Sequence, residues 1–287
     1  MSRLATPRDL PQLTLVAVDT RAPLLALEGL ERSLRHLRPA RSVLFTHAAP
    51  ADVVSRAREL GVDLADCGPI ASGADYSRFV LREMPLHIAS SHVLVTQWDG
   101  FVVDGRAWRD EFLDYDYIGA AWIDAPDHAR VGNGGFSLRS RRLLEAGRDA
   151  RIVECHPEDV ALCRTYRRML EQDHGVRFAP LAVARRFAFE NERPAGPTLG
   201  FHGPYNLPLF VDAATVSRWL AALPDEFFRS RDARRLARAL IREAMPGPAR
   251  QLLTRRRAAG RSDLNTLALS GLAGMLGLWQ GWRTSAP

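Results

Sequence analysis

Apolar and polar positions in the first half of the chain switch between two periods. Residues 13–20 (LTLVAVDT) form an unbroken apolar run ending on Asp19-Thr20, which predicts a buried strand with polar groups at its carboxyl end. Leu24, Leu27, Leu30, Leu34 and Leu37 then recur at helical spacing and predict an amphipathic helix over 24–37. A second strand over 41–47 and a second helix over 51–61, closed by Gly61, follow in the same rhythm. Residues 62–70 predict a short strand, and 72–88 a helix beginning near Asp75. Strand alternating with helix predicts a parallel sheet joined by right-handed crossovers. Residues 92–96 (HVLVT) are the next strand, and it stops abruptly at Gln97-Trp98-Asp99-Gly100. Ligands of open α/β sheets lie outside the carboxyl ends of the strands, so Asp99 is placed where a ligand would sit.

The second half is less regular. It predicts a short helix over 107–113, a strand over 115–122, and a Gly-rich bend at Gly132-Asn133-Gly134-Gly135 entering a helix near Ser140. Residues 157–175 predict one helix, with Pro157 and two acids in its first turn and Gly175 at its end. Residues 176–190 read as a strand followed by a short helix or second strand, and 191–208 as a Pro/Gly-rich loop. After Asp212 the pattern is helical, ending in an apolar, Gly-containing stretch over 264–282. The expected organisation is an α/β domain over 11–212 and a helical extension over 213–287.

Charge changes this picture only at the C-terminal end. The net charge of +6 arises between Arg229 and Arg261, where eleven Arg face Asp232 and Glu243; the remainder is net negative. This Arg cluster has no interleaved base-stacking aromatics, which argues against nucleic acid. An Arg-rich helix before an apolar stretch fits peripheral contact with an anionic membrane or a lipid-linked acceptor. It equally fits a helix packed on the catalytic domain or on a second subunit. The three cysteines are scattered with no CxxC pair, and residues 1–12 lack the apolar core of a signal peptide. No run of 18 uninterrupted apolar residues exists. The expected location is cytoplasmic.

Four short blocks carry candidate chemistry: QWDGF at 97–101, GNGGFSLRS at 132–140, HPEDV at 156–160 and GFHG at 200–203. Asp99 is a lone carboxylate leaving a strand; its simplest alternative role is to cap the turn before Gly100. His202 sits in a Gly/Pro-rich loop, and neutral imidazole suits a divalent metal. Gly134 and Gly135 allow a close backbone approach, although the bend is neither a P-loop nor a dinucleotide fingerprint. Glu158 and Asp159 complement a helix dipole, and either could act as a general base.

Taken in order, QWDGF, FLDYDYIGAAW, VGNGGFSLRSRRLLE, HPEDVALCRTYR and GFHG resemble a bacterial family that stands beside the GT-A glycosyltransferases, over about residues 11–210. The resemblance implies a GT-A-like, mostly parallel sheet and a nucleoside diphosphate sugar as donor. It implies transfer of the sugar, with inversion, to a hydroxyl of a glycan, lipid-linked or protein acceptor. Asp99 and His202 would hold Mn²⁺ or Mg²⁺, and Asp19, Thr20, Tyr76, Gln97 and Trp98 would face the nucleotide. Gly134 and Gly135 would line the sugar pocket. Asp159 is the first choice of base and Glu158 the second. One departure stands out: such enzymes usually carry Asp-x-Asp, and here the triplet is Gln97-Trp98-Asp99. That substitution favours a non-catalytic glycan- or partner-binding module as a rival. A sugar nucleotidyltransferase is a second rival, opposed by the absence of Gly from the DTRAP turn after the first strand.

Overall fold

The computed structural model describes residues 6–126 and 129–285, the side chains of 281–285 excepted. Residues 1–202 and 203–287 form two compact units.

The first unit opens with β1 (Arg8–Val18), α1 (Pro23–Leu34), β2 (Leu37–Thr46), α2 (Ala51–Leu60), β3 (Asp63–Asp66), α3 (Gly73–Arg82) and β4 (His92–Val95). β1 lies parallel between β2 and β4, and β2 pairs parallel with β3. The buried stretches of β1, β2 and β4 are apolar on both faces because both faces are covered, while β3 at the sheet edge is short and partly exposed. Leu13, Leu15, Ala17, Leu44 and Leu94 face one layer of the core. Val16, Val18, Val43, Phe45, Val93 and Val95 face the other. Successive side chains of a strand point to opposite sides, so one continuous run feeds two cores.

The chain then supplies β5 (Tyr117–Gly119) and β6 (Ser137–Ser140), giving the sheet order β3-β2-β1-β4-β6-β5. β6 runs antiparallel to both β4 and β5. The sequence pattern did not predict it: Ser137-Leu138-Arg139-Ser140 is short and mostly polar, yet every residue in it is buried. It lies in the interior because its polar groups find partners, described below. The first strand also starts earlier than predicted, and the helix after it ends at Leu34, with Leu37 opening β2.

After α4 (Arg141–Ala146), the single helix predicted over 157–175 is broken. It comprises α5 (Glu158–Val160), a π turn over Ala161–Thr165, and α6 (Arg167–His174). Capping pattern alone does not register such a wide turn. α7 (Leu181–Phe187) leads to a two-stranded parallel sheet, β7 (Ala188–Phe189) with β8 (Gly200–Phe201).

The second unit is helical: α8 (Ala213–Ala222), α9 (Asp225–Arg229), α10 (Arg231–Arg242), α11 (Pro246–Ala258) and α12 (Leu264–Ser285). Its core holds Trp219, Phe228, Leu236, Leu240, Leu252 and Leu253. Arg256 is buried among them and donates to the carbonyls of Phe228 and Ser230 and to Thr266 Oγ1. No helix of the described residues is long and apolar enough to cross a membrane.

Candidate functional site

Asp99 is positioned by a tight turn at the end of β4. Gln97 and Gly100 exchange backbone hydrogen bonds, N to O, of 2.8 and 3.1 Å, so the turn closes on itself and buries the Asp99 side chain. β8 approaches this turn from the other end of the unit. Phe201 packs edge-on against Phe101, with ring centroids 4.9 Å apart, and His202 follows it. A Cβ added at Gly100 would stand 3.0 Å from the His202 ring and 3.1 Å from the Phe201 carbonyl, so a side chain has no room there.

Asp99 and His202 meet. His202 Nε2 lies 3.8 Å from Asp99 Oδ1 and 3.2 Å from Gln97 Oε1, while Nδ1 lies 3.3 Å from Glu190 Oε1. Both ring nitrogens face oxygen acceptors, an arrangement that the doubly protonated ring satisfies fully. Burial disfavours the charged ring. The Asp99 carboxylate, the Glu190 hydrogen bond and the nearby Asp159 outweigh it and push the pKa up to about 9.

The Gly-rich bend closes over this pair. A side chain at Gly135 would collide with the His202 ring, and one at Gly134 with the Glu158 carboxylate. Gly134 N donates to Asp159 Oδ2 at 3.0 Å, and the other oxygen, Oδ1, accepts from Val160 N at 2.8 Å. Glu158 Oε1 accepts from Arg139 Nη2 at 2.9 Å, and both groups are buried. Arg139 also donates to Ser137 Oγ and to the Gly134 carbonyl. The buried polar strand β6 is therefore satisfied by the same bend that borders the site.

At the carboxyl ends of β1 and β4 lies a cavity of about 240 Å³, lined by Asp19, Thr20, Arg21, Tyr76, Gln97 and Trp98 among others. Burial raises the pKa of Asp19, against two backbone N–H donors, from Ala22 and Arg21, at 2.7 Å each. Thr20 Oγ1 donates to the Ile70 carbonyl at 3.4 Å. Gln97 joins the cavity to the Asp99–His202 pair: its Nε2 donates to Tyr76 Oη at 3.2 Å while its Oε1 faces His202. The residue that replaces the usual first acid is thus a hydrogen-bonded bridge.

A second cavity, about 320 Å³, is walled by Arg185, Arg186, Arg193, Phe189 and Glu190, and Glu190 connects it to His202.

Other acids take structural roles. Asp75 forms a capping box with Ser72 at the start of α3, and Ser77 bonds to His156. Asp116 is buried, and accepts from Ser140 Oγ and Arg177 N. Two residues escaped the sequence reading. Glu190 carried no motif signal. Asn133 adopts a positive φ of 68° and is buried, with Oδ1 lacking a hydrogen-bond partner among the described residues. An Asn between glycines is a recognisable left-handed position and could have flagged it.

A family model described as "Protein of unknown function (DUF5672)" matches residues 62–202, the stretch holding QWDGF, GNGGFSLRS and HPEDV and ending at His202. No curated protein matches. Among solved structures, the chain is similar to the mannosyltransferase PcManGT of Pyrobaculum calidifontis, in complex with GDP-Man and Mn²⁺. That match has 13% identity and a TM-score of 0.41, covering 98% of this chain and 85% of that one. It is similar to the galactosyltransferase LgtC, in complex with donor and acceptor sugar analogues, at 14% identity and TM-score 0.42, covering 66% and 86%. It is also similar to the glycosyltransferase GlyE of Streptococcus pneumoniae TIGR4, at 18% and 0.42, covering 69% of this chain and 54% of that one. The sheet itself is mostly parallel and flanked by helices, as the motif blocks imply.

Proposed function

We propose that this chain transfers a sugar from a nucleoside diphosphate sugar to a hydroxyl acceptor, with inversion. The observation that supports this reading most is the 3.8 Å approach of His202, delivered by β8, to Asp99 at the rim of β4. Two groups more than a hundred residues apart in sequence converge beside a cavity at the carboxyl ends of the strands.

Among the described residues, no group of three or more His, Cys, Asp or Glu could hold a metal ion. The donor set of Asp99 and His202 still fits a divalent cation that takes its other ligands from a diphosphate and from water. When bound, Mn²⁺ or Mg²⁺ supplies charge opposite the leaving diphosphate. Asp99 and His202 would hold it, with Glu190 on the far ring nitrogen fixing the imidazole's orientation. In this reading the nucleotide occupies the 240 Å³ cavity, with Asp19, Thr20, Tyr76, Gln97 and Trp98 around it. Gly134 and Gly135, packed against the Glu158 carboxylate and the His202 ring, border the sugar pocket through their backbone. Asp159 is the base that takes the acceptor's proton as its oxygen attacks the anomeric carbon. Glu158 is engaged by Arg139 and positions the bend instead.

Calorimetry with UDP, GDP and dTDP, with and without Mn²⁺, tests the reading. One diphosphate should bind more tightly with the metal, and Asp99→Ala should abolish that gain while the protein stays folded. Failure of every nucleotide to bind would sink the proposal. Gln97 in place of an acid keeps one rival alive, a domain that binds a glycan without turning over a donor. Metal-independent binding of sugars, with no donor hydrolysis, would select it.

A further inference from the structure

The helical unit carries an apolar surface that the proposed chemistry does not use. Helix α12 begins at an Asp263 cap, where Thr266 N donates to Asp263 Oδ1 at 2.9 Å. One face packs inward: Thr266 and Ala273 are fully buried and Leu269 nearly so. The Arg250 guanidinium sits where a side chain at Gly277 would stand, and Gln280 reaches the Ala244 carbonyl. The opposite face should be polar in an ordinary surface helix. Instead Leu264, Leu267, Leu272, Met275, Leu278 and Trp279 are all exposed, Leu264 at 85%, Met275 at 61% and Leu278 at 77%. At 100° per residue these six side chains fall within an arc of about 140°. Ala268 and Gly271 lie within the same arc, so the stripe has no polar interruption.

Charge identifies what covers this face. Residues 203–287 hold thirteen Arg against six acids. No acidic residue occurs from Leu264 to the end of the sequence. Arg257 and Arg261, both exposed, precede the helix. A second copy of this chain would bring the same positive charge against itself. An anionic lipid surface offers apolar depth to the stripe and phosphates to the guanidinium groups. The helix falls short of a spanning segment, which leaves the interfacial mode.

We infer that the outward face of α12 is a monotopic docking surface that lies in the headgroup region of an anionic bilayer. Full-length protein is floated with vesicles of phosphatidylcholine alone, or with about a third phosphatidylglycerol. Flotation is expected with the anionic vesicles only, and should fall at about 0.5 M salt. Leu272→Asp with Met275→Asp should lower the partition coefficient at least about tenfold with an unchanged thermal midpoint. Should that pair unfold the unit, Leu278→Gln at the most exposed position of the last turns serves in its place. Absence of flotation with anionic vesicles, equal flotation with neutral ones, or equal flotation of the variants overturns the inference. Dimers in light scattering that the variants convert to monomers, without vesicle binding, would assign the face to a second copy and overturn it too.

Discussion

In the metal-free protein three acids, Asp99, Glu190 and Asp159, outweigh burial and favour the charged His202 ring; a bound cation would displace that proton. Its folded pKa of about 9 lies above the 6.5 of an exposed imidazole, so protonation favours the folded state. The sign follows directly. The stabilisation is complete below about pH 6.5 and is lost as pH rises through about 9. A His202→Gln protein should therefore be less stable than the parent at pH 6 by on the order of 3 kcal/mol. The two should converge near pH 9 to 10 in urea titrations of the metal-free protein. A constant difference across that range would show that the imidazolium contributes nothing. Gly135 gives a second test at this scale. A methyl there meets the His202 ring, so Gly135→Ala should push the imidazole away from Asp99. Nucleotide affinity in the presence of Mn²⁺ is expected to fall at least about tenfold, with a stability loss of about 1–3 kcal/mol.

At the scale of elements, β6 explains how a polar segment becomes the antiparallel neighbour of the central strand. Arg139 is desolvated, and Glu158 holds its charge across from α5 at 2.9 Å. Removing one member leaves the other buried and uncompensated, so Glu158→Gln or Arg139→Met should each cost about 3–5 kcal/mol. The double replacement should cost less than the sum of the single ones, as a double-mutant cycle would show. Strictly additive losses would mean the pair is not coupled. The central strand behaves differently, since the side chains of Val93, Leu94 and Val95 contribute by packing and not by ion pairing. Leu94→Ala opens a cavity in a fully buried layer, and about 2–5 kcal/mol should be lost on chemical denaturation. The break of the predicted 157–175 helix belongs here as well. Its π turn separates α5, whose acids reach the Gly-rich bend, from α6, which carries Leu170 into the core.

At the scale of the whole molecule, the chain comprises two compact units, each with its own buried core. Unfolding is expected in two steps, with a calorimetric enthalpy exceeding the van't Hoff value. Leu94→Ala should lower only one of them. A single two-state transition would show that the two cores melt together. Charge also divides between the units, because the Arg excess is confined to the helical one. A net charge quoted for the entire chain therefore describes neither unit.

Much of this was present in the one-dimensional pattern. The β1-to-β4 rhythm follows from apolar runs and helical spacing, because a strand buried on both faces must be apolar throughout. The placement of Asp99 beyond β4 follows from where that run stops. Those are local properties, and neighbouring residues suffice to fix them. The resemblance already paired His202 with Asp99, and the fold brings them to 3.8 Å; the tertiary structure alone decided the groups around them: Glu190 behind His202, Gln97 as a bridge to Tyr76, and Arg139 buried on Glu158. It also decided that β6 is a strand and that α12 shows its apolar face outward. A polar residue can be buried only if a partner waits there, and an apolar one stays exposed only if nothing packs on it. Partners far along the chain are set by the fold, and no local spacing records them.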